Sequence, residues 1–210
     1  SWFVFHKDAR GDGGIRSPEQ SFLMLQGTNT ASHTTEYWGN ELPGVDSFKV
    51  GGATNHASNH YVAYIFAHDD ARFGANGDES IIKCGSVTTS NGVIPDVNLG
   101  FEPQFLLIKN TTTGAHWYLY DSMRGMPVGS PLLWGNEATL YANLTNTEVT
   151  GANTVELTPT GFTGGPDYLA AGADTLIYMA IRRSHKPATV VSDVFAIDTK
   201  SAVSGNIPHY

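Results

Sequence analysis

The stretch "QFLLIKNTTTGAHWYLYD" (residues 104–121) indicates the fold of this chain more clearly than any other. It has two runs of apolar, β-branched and aromatic residues on either side of a short polar loop that contains Gly114. Strand-like runs separated by three to five residues that include a glycine are typical of a β-hairpin. The stretch therefore predicts two antiparallel strands, with Trp117 on the second.

Similar short strand-like segments occur along the whole chain, whereas helical periodicity is nearly absent. They are "WFVFH" (2–6), "YVAYIFA" (61–67), "SIIKCGSV" (80–87), "TVELT" (154–158), "TLIYMAI" (175–181) and "VVSDVFAI" (190–197). Turn-forming residues bound most of them, in a chain with 23 glycines and 10 prolines. The pattern predicts an all-β fold, an antiparallel β-sandwich of the jelly-roll or concanavalin-like type.

Charge and cysteine content narrow the classes of function. The formal net charge of −8 argues against nucleic-acid binding, which needs clustered lysine and arginine. No apolar run reaches the ~18 residues of a membrane span, so we expect no membrane insertion. The single cysteine, Cys84, cannot form an intrachain disulfide, and we expect it to be a small buried side chain in a strand.

Two parts of the chain resemble each other. Trp2 in "SWFVFHKDARG" and Trp117 in "HWYLYDSMRG" are 115 positions apart (117 − 2), and both precede an Asp and an Arg-Gly pair. Tyr64 in "YVAYIFAH" and Tyr178 in "TLIYMAIR" are 114 positions apart (178 − 64). Between these anchors lie a serine with an apolar segment (21–27 or 130–135), an Asn/Thr-rich loop (28–36 or 143–150) and a further strand (46–52 or 154–162). Such self-similarity predicts two related β units of ~115 residues.

The predicted boundaries are a first β unit at residues 1–75, a complete second unit at 76–185, and a C-terminal strand or linker to a following unit at 186–210. The first unit lacks an equivalent of "GFEPQFLLIKN" (100–110), the hairpin partner of the Trp117 strand. Folded proteins usually cover an unpaired strand edge. We therefore expect the partner of the Trp2 strand to come from upstream sequence of a longer protein, from the C-terminal segment of a unit that closes on itself, or from another chain.

Four phrases together resemble a repeated domain of large virion proteins of tailed bacteriophages, especially marine ones. They are "YVAYIFAH", "GFEPQFLLIKN", "HWYLYDSMRG" and "LIYMAIRRSHKPATVVSDVFA". The resemblance implies a component of a tail, tail fibre or other surface appendage, in contact with other virion proteins and with copies of itself, often as a trimer in fibrous proteins. It carries no catalytic residues across, because its motifs are structural.

The repeated phrases also contain candidate recognition residues. They are Trp2, Asp8 and Arg10 in one unit and Trp117, Asp121 and Arg124 in the other. A tryptophan ring could stack on a sugar while a charged pair binds its hydroxyl groups. The favoured interpretation is structural: a tryptophan and the anchors Tyr64 and Tyr178 in the core, with an Asp–Arg bridge that holds the following loop.

Two clusters of metal-ligating residue types call for a decision. His56, His60 and His68 lie close in sequence, but ligands four residues apart suit a helix and this is a Gly/Asn-rich loop. A calcium site is the less favoured alternative for the loop carboxylates, whose spacing does not match a helix–loop–helix site; they are Asp69, Asp70, Asp78 and Glu79. We therefore predict no resident metal or cofactor.

The leading hypothesis is a non-enzymatic structural module of a virion that acts by rigid display and subunit packing. Its cores would contain the apolar strand residues Tyr64, Ile65, Phe66, Leu106, Leu107, Ile108, Tyr178, Met179 and Ile181. One alternative is a carbohydrate- or host-receptor-binding module, for which Tyr37, Trp38 and Tyr141 are the candidate contacts. Another is a polysaccharide depolymerase, which needs two carboxylates ~5–10 Å apart across a groove. No residue is predicted to be catalytic.

Overall fold

The computed structural model describes residues 1–126, 137–152, 155–166 and 169–184. Its strands are β1 (Phe3–Val4), β2 (Ser21–Met24), β3 (Ser32–His33), β4 (Ile82–Thr88), β5 (Ile94–Asn98), β6 (Pro103–Asn110), β7 (Trp117–Asp121), β8 (Glu137–Tyr141), β9 (Val149–Ala152), β10 (Glu156–Thr158), β11 (Gly161–Gly164) and β12 (Thr175–Arg182). The helical structure described is limited to single turns at Gly11–Gly14, Pro18–Gln20, Gly52–Thr54 and Ser122–Arg124. None of these is long and apolar enough to cross a membrane. The prediction of an all-β fold is confirmed.

The largest sheet has six antiparallel strands in the order β4-β12-β6-β7-β8-β9. The predicted hairpin forms its centre, since β6 pairs with β7 from Phe105 opposite Asp121 to Lys109 opposite Trp117. β12 pairs with β4 on one side and with β6 on the other. The "SIIKCGSV" and "TLIYMAI" segments therefore become neighbouring strands of one sheet.

One face of this sheet packs on the three-stranded sheet β10-β11-β5. Because side chains alternate along a strand, every second residue of the central strands points to this core. The shared core includes Leu106, Ile108, Tyr118, Tyr120 and Leu176 from the large sheet and Ile94, Leu157 and Phe162 from the small one. These two layers form the predicted sandwich.

The opposite face packs on a second small sheet, β1-β2-β3 of the first unit. Trp117 and Ile177 from the large sheet form a buried cluster with Ala9, Leu23 and Ala31. The six-stranded sheet is therefore the middle layer of the described fold.

Two sequence predictions for the first unit are wrong. The 61–67 segment forms no strand, and Tyr64, Ile65 and Phe66 are exposed and belong to no core. The 46–52 segment also forms no strand. The reason for the first difference is pairing: β12 has a strand on either side, whereas none of the described residues pairs as a strand with 61–67.

Three sequence predictions lie outside the described residues. They concern the apolar segment at 130–135, the strand at 190–197 and the C-terminal unit at 186–210.

Candidate functional site: the interface between the two units

The first three strands and β7-β8-β9 are built alike. Both sets are antiparallel meanders with the strand from the middle of the chain segment at the centre. The backbone N–H of Trp2 donates to the side-chain oxygen of Gln26 at 2.9 Å, and that of Trp117 donates to Asn143 at 3.0 Å. The two tryptophans therefore begin equivalent strands.

Further hydrogen bonds repeat with the same shift. Leu25 N–H donates to the Trp2 carbonyl at 3.0 Å, and Ala142 N–H donates to the Trp117 carbonyl at 3.0 Å. Gln26 and Asn143 are 117 positions apart (143 − 26), and the same shift superposes the "TNT" triplets at 28–30 and 145–147. The strand equivalent to β2 is thus β8, and the triplets are the sequence signal that identifies it.

The two equivalent tryptophans lie in different surroundings. Trp117 is 3% exposed, and its indole Nε1–H donates to the backbone carbonyl of Met24 in the first unit at 2.9 Å. Trp2 is 49% exposed and contacts the ring of Tyr64 at a centroid distance of 5.7 Å. Trp117 therefore anchors one unit on the other, while Trp2 occupies the same strand position without such cover.

Lys109 is the second anchor, and the sequence gives little warning of it. Its side chain is fully buried between the units. Its ammonium group donates to the carbonyls of Asn110 at 2.9 Å, Ala115 at 2.8 Å and Thr28 at 3.3 Å. The carbonyls favour the charged form and burial disfavours it; burial lowers the pKa of Lys109 to about 8.

The pKa of Lys109 makes the stability of the protein depend on pH. Between about 8 and the ordinary value of 10.5, the unfolded chain keeps the proton that the folded chain has released. Unfolding therefore takes up a proton, and the free energy of unfolding rises with pH across this window. We expect the wild-type protein to gain about 2–3 kcal/mol relative to Lys109→Met between pH 7.5 and pH 10.5, measured by urea unfolding. A difference between the two proteins that stays constant with pH contradicts this assignment.

A histidine joins the same interface. The ring Nε2 of His6 lies 3.1 Å from the Tyr178 carbonyl on β12, and the Asp8 N–H donates to its Nδ1 at 3.1 Å. This pair of contacts fits the neutral ring with its hydrogen on Nε2. Burial lowers the pKa of His6, which also favours the neutral form.

A polar cleft opens at one end of the interface. It has a volume of about 110 Å³, and its lining includes Asp8 and Arg10 from the first unit and Thr111, Thr112 and Thr175 from the second. Pockets for small organic ligands usually measure 300–1,000 Å³. The cleft brings two of the candidate recognition residues to the second unit, but its size suits water molecules better than a sugar.

Behind the cleft lies a buried polar network that the sequence patterns did not reveal. The Asn110 amide donates to the Asp174 carboxylate at 3.0 Å and to the Leu169 carbonyl at 2.9 Å. The Asn110 side-chain oxygen accepts from the backbone N–H groups of Thr112 and Thr113, both at 2.9 Å. A fully bonded network of this kind holds the β6–β7 loop in one conformation.

The predicted Asp–Arg bridge is not formed in the second unit. The Asp121 carboxylate accepts from the Met123 N–H at 2.8 Å and caps the turn at Ser122–Arg124. Arg124 instead pairs with Glu148 at 2.8 Å. In the first unit Asp8 pairs with Lys7 at 2.9 Å. The cap prevails because it satisfies a backbone N–H that the turn leaves without a partner.

The aromatic candidates for glycan contact are half-buried in ring clusters. The Trp38 Nε1–H donates to the Ser21 carbonyl at 2.8 Å. The Tyr37 ring lies 4.3 Å from Phe3 and 4.5 Å from Phe22.

Tyr141, the third of these candidates, lies on β8. Its ring is 4.9 Å from His116 and 5.3 Å from Tyr118. The structure therefore does not bring the three aromatic candidates into one surface patch.

The candidate metal ligands are engaged in other contacts. Asp69 pairs with Lys83 at 3.2 Å, and Asp70 pairs with Arg72 at 3.1 Å. Across the described parts of the chain, no three side chains of His, Cys, Asp or Glu converge on a point that could hold a metal ion.

Cys84 lies on β4 and is partly covered. Burial raises the pKa of its thiol to about 11, so the thiolate is scarce at neutral pH.

Comparison with known proteins assigns a family. A family model described as "Domain of unknown function (DUF7483)" matches residues 1–184. The chain belongs to the DUF7483 family. No curated protein and no solved structure matches it. The DUF7483 match includes both units, and therefore the whole interface that Trp117 and Lys109 form.

Proposed function

We propose that this DUF7483 protein is a structural module of a tailed-bacteriophage virion, part of a tail, tail fibre or surface appendage. It acts by rigid display and by the packing of one β unit on the next. The observation that carries the proposal is the interface between the units, in which one tryptophan and one fully buried lysine of the second unit bind backbone carbonyls of the first.

The chemistry of this interface suits a load-bearing role. Trp117 supplies a large buried apolar surface with a fixed hydrogen bond, and Lys109 adds charge-assisted bonds. Both recognise backbone atoms of the first unit, which any related unit with the same backbone also presents. Packing of this kind can be repeated from unit to unit without matching side chains.

The proposed role is tested on phage particles that carry the gene. Particles are purified by density gradient, and the protein is located by quantitative mass spectrometry and by antibody labelling in electron microscopy. We expect several copies in each particle, with the label at one fixed position on the tail or the surface. Protein that is found in infected cells and absent from purified particles contradicts the proposal.

The receptor-binding alternative has less support from the described residues. A glycan platform needs an accessible ring face beside free polar groups, whereas Tyr37 packs between two phenylalanines and Trp38 uses its Nε1–H inside the protein. The proposal therefore places packing ahead of ligand recognition.

A further inference from the structure

The first unit presents an apolar segment to solvent. The side chains of residues 61–66 other than Ala63 are large and apolar, and each is exposed: Tyr61, Val62, Tyr64, Ile65 and Phe66. A contiguous exposed apolar patch on a soluble protein marks an interaction surface.

The second unit shows what the equivalent segment does when it is covered. Tyr64 corresponds to Tyr178 at the centre of β12, and the same shift of 114 positions superposes Phe48 on Phe162. Phe162 is 1% exposed and lies 5.2 Å from the ring of Tyr178. Phe48 is 44% exposed. The same pair of side chains is thus buried in one unit and open in the other.

The difference follows from one strand. In the second unit β6 lies between β12 and β7 and forms hydrogen bonds with both. In the first unit β1 is the equivalent of β7, and among the described residues it pairs on one side only, with β2. Trp2 and Tyr64 face each other at 5.7 Å at this place. The position that β6 holds in the second unit has no described counterpart in the first.

We propose that the first unit binds an extended apolar strand of the β6 type, supplied by a DUF7483 unit on a separate chain, between β1 and residues 61–66. The strand runs antiparallel to both, as β6 does between β7 and β12. Backbone hydrogen bonds provide most of its affinity, and alternate apolar side chains provide its specificity. The chain's own second unit serves as the template for this occupant. The inference rests on the proposed packing function and names the partner of that packing.

The test uses a peptide of residues 101–110, "FEPQFLLIKN", and the full chain. We expect saturable binding of one peptide per chain in fluorescence anisotropy, with new protection of the amides of residues 61–66 in hydrogen exchange. A peptide of the same composition in scrambled order serves as the control and should not bind. Equal binding of the two peptides, absence of binding, or protection confined to β4 and β12 overturns the proposal.

A pair of variants locates the site. Phe66→Asp places a carboxylate on the apolar segment and should weaken binding of the peptide at least tenfold. Ile15→Asp, at another exposed apolar position of the first unit, should leave binding unchanged. Both side chains are exposed, so both variants should unfold at the wild-type urea concentration. A Phe66→Asp variant that folds and binds the peptide normally overturns the site.

The two proposals can fail separately. If the protein is found in virions and the peptide does not bind, the strand-docking proposal fails and the structural role stands. If the peptide binds and the protein is absent from virions, the docking site stands and the virion role fails.

Discussion

Trp117→Ala is expected to lower the free energy of unfolding by about 4 kcal/mol, the usual cost of deleting a buried aromatic side chain. The variant removes a side chain that is almost fully buried between the units and leaves the Met24 carbonyl without its indole donor. Urea unfolding followed by circular dichroism measures the change. The matched control is Trp2→Ala, at the equivalent position of the first unit, where the exposed ring predicts a loss below about 1 kcal/mol.

A conservative variant separates the ring from its hydrogen bond. Trp117→Phe keeps an aromatic ring and removes the Nε1–H, so we expect a loss of about 2 kcal/mol, between the wild type and Trp117→Ala. Equal losses for Trp117→Ala and Trp2→Ala contradict the assignment of Trp117 as the anchor of the interface.

Gly161→Ala is expected to cost about 3 kcal/mol, because β11 crosses very close to β5 at this residue. A Cβ atom at Gly161 would lie 1.7 Å from the carbonyl oxygen of Val97 and 2.9 Å from its carbonyl carbon. These atoms belong to the backbone and cannot rotate away, so the sheet β10-β11-β5 must shift. The same urea unfolding experiment measures the loss.

Gly172→Ala provides the matched control for this substitution. A Cβ atom at Gly172 has no neighbouring heavy atom within 4 Å, and its φ lies outside the left-handed region. We expect a change below about 1 kcal/mol. If both glycine variants unfold at the same urea concentration, the close approach of β11 to β5 is wrong.

Local patterns predicted the second unit well, because its strands pair with neighbours that are close in sequence or that share the same alternation. The β6–β7 hairpin is one such case, since a loop of a few residues leaves its two strands little choice of partner. The strands β4 and β12 also form near their predicted positions. The anchoring role of Lys109 was missed because a lysine in a strand pattern normally marks an exposed face, and only the carbonyls of a distant loop make its burial acceptable.

The sequence alone determines the all-β class, the hairpin around residues 104–121 and the internal repeat, because each depends on side-chain type and spacing. Only the tertiary structure decides which copy of a repeated residue is buried. Trp2 and Trp117 begin equivalent strands and share the same backbone hydrogen bonds, yet only Trp117 is covered by another unit. Tyr64 and Tyr178 differ in the same way, since Tyr178 lies on a strand with two neighbours. Burial depends on what packs against a residue, and a repeated pattern cannot specify that.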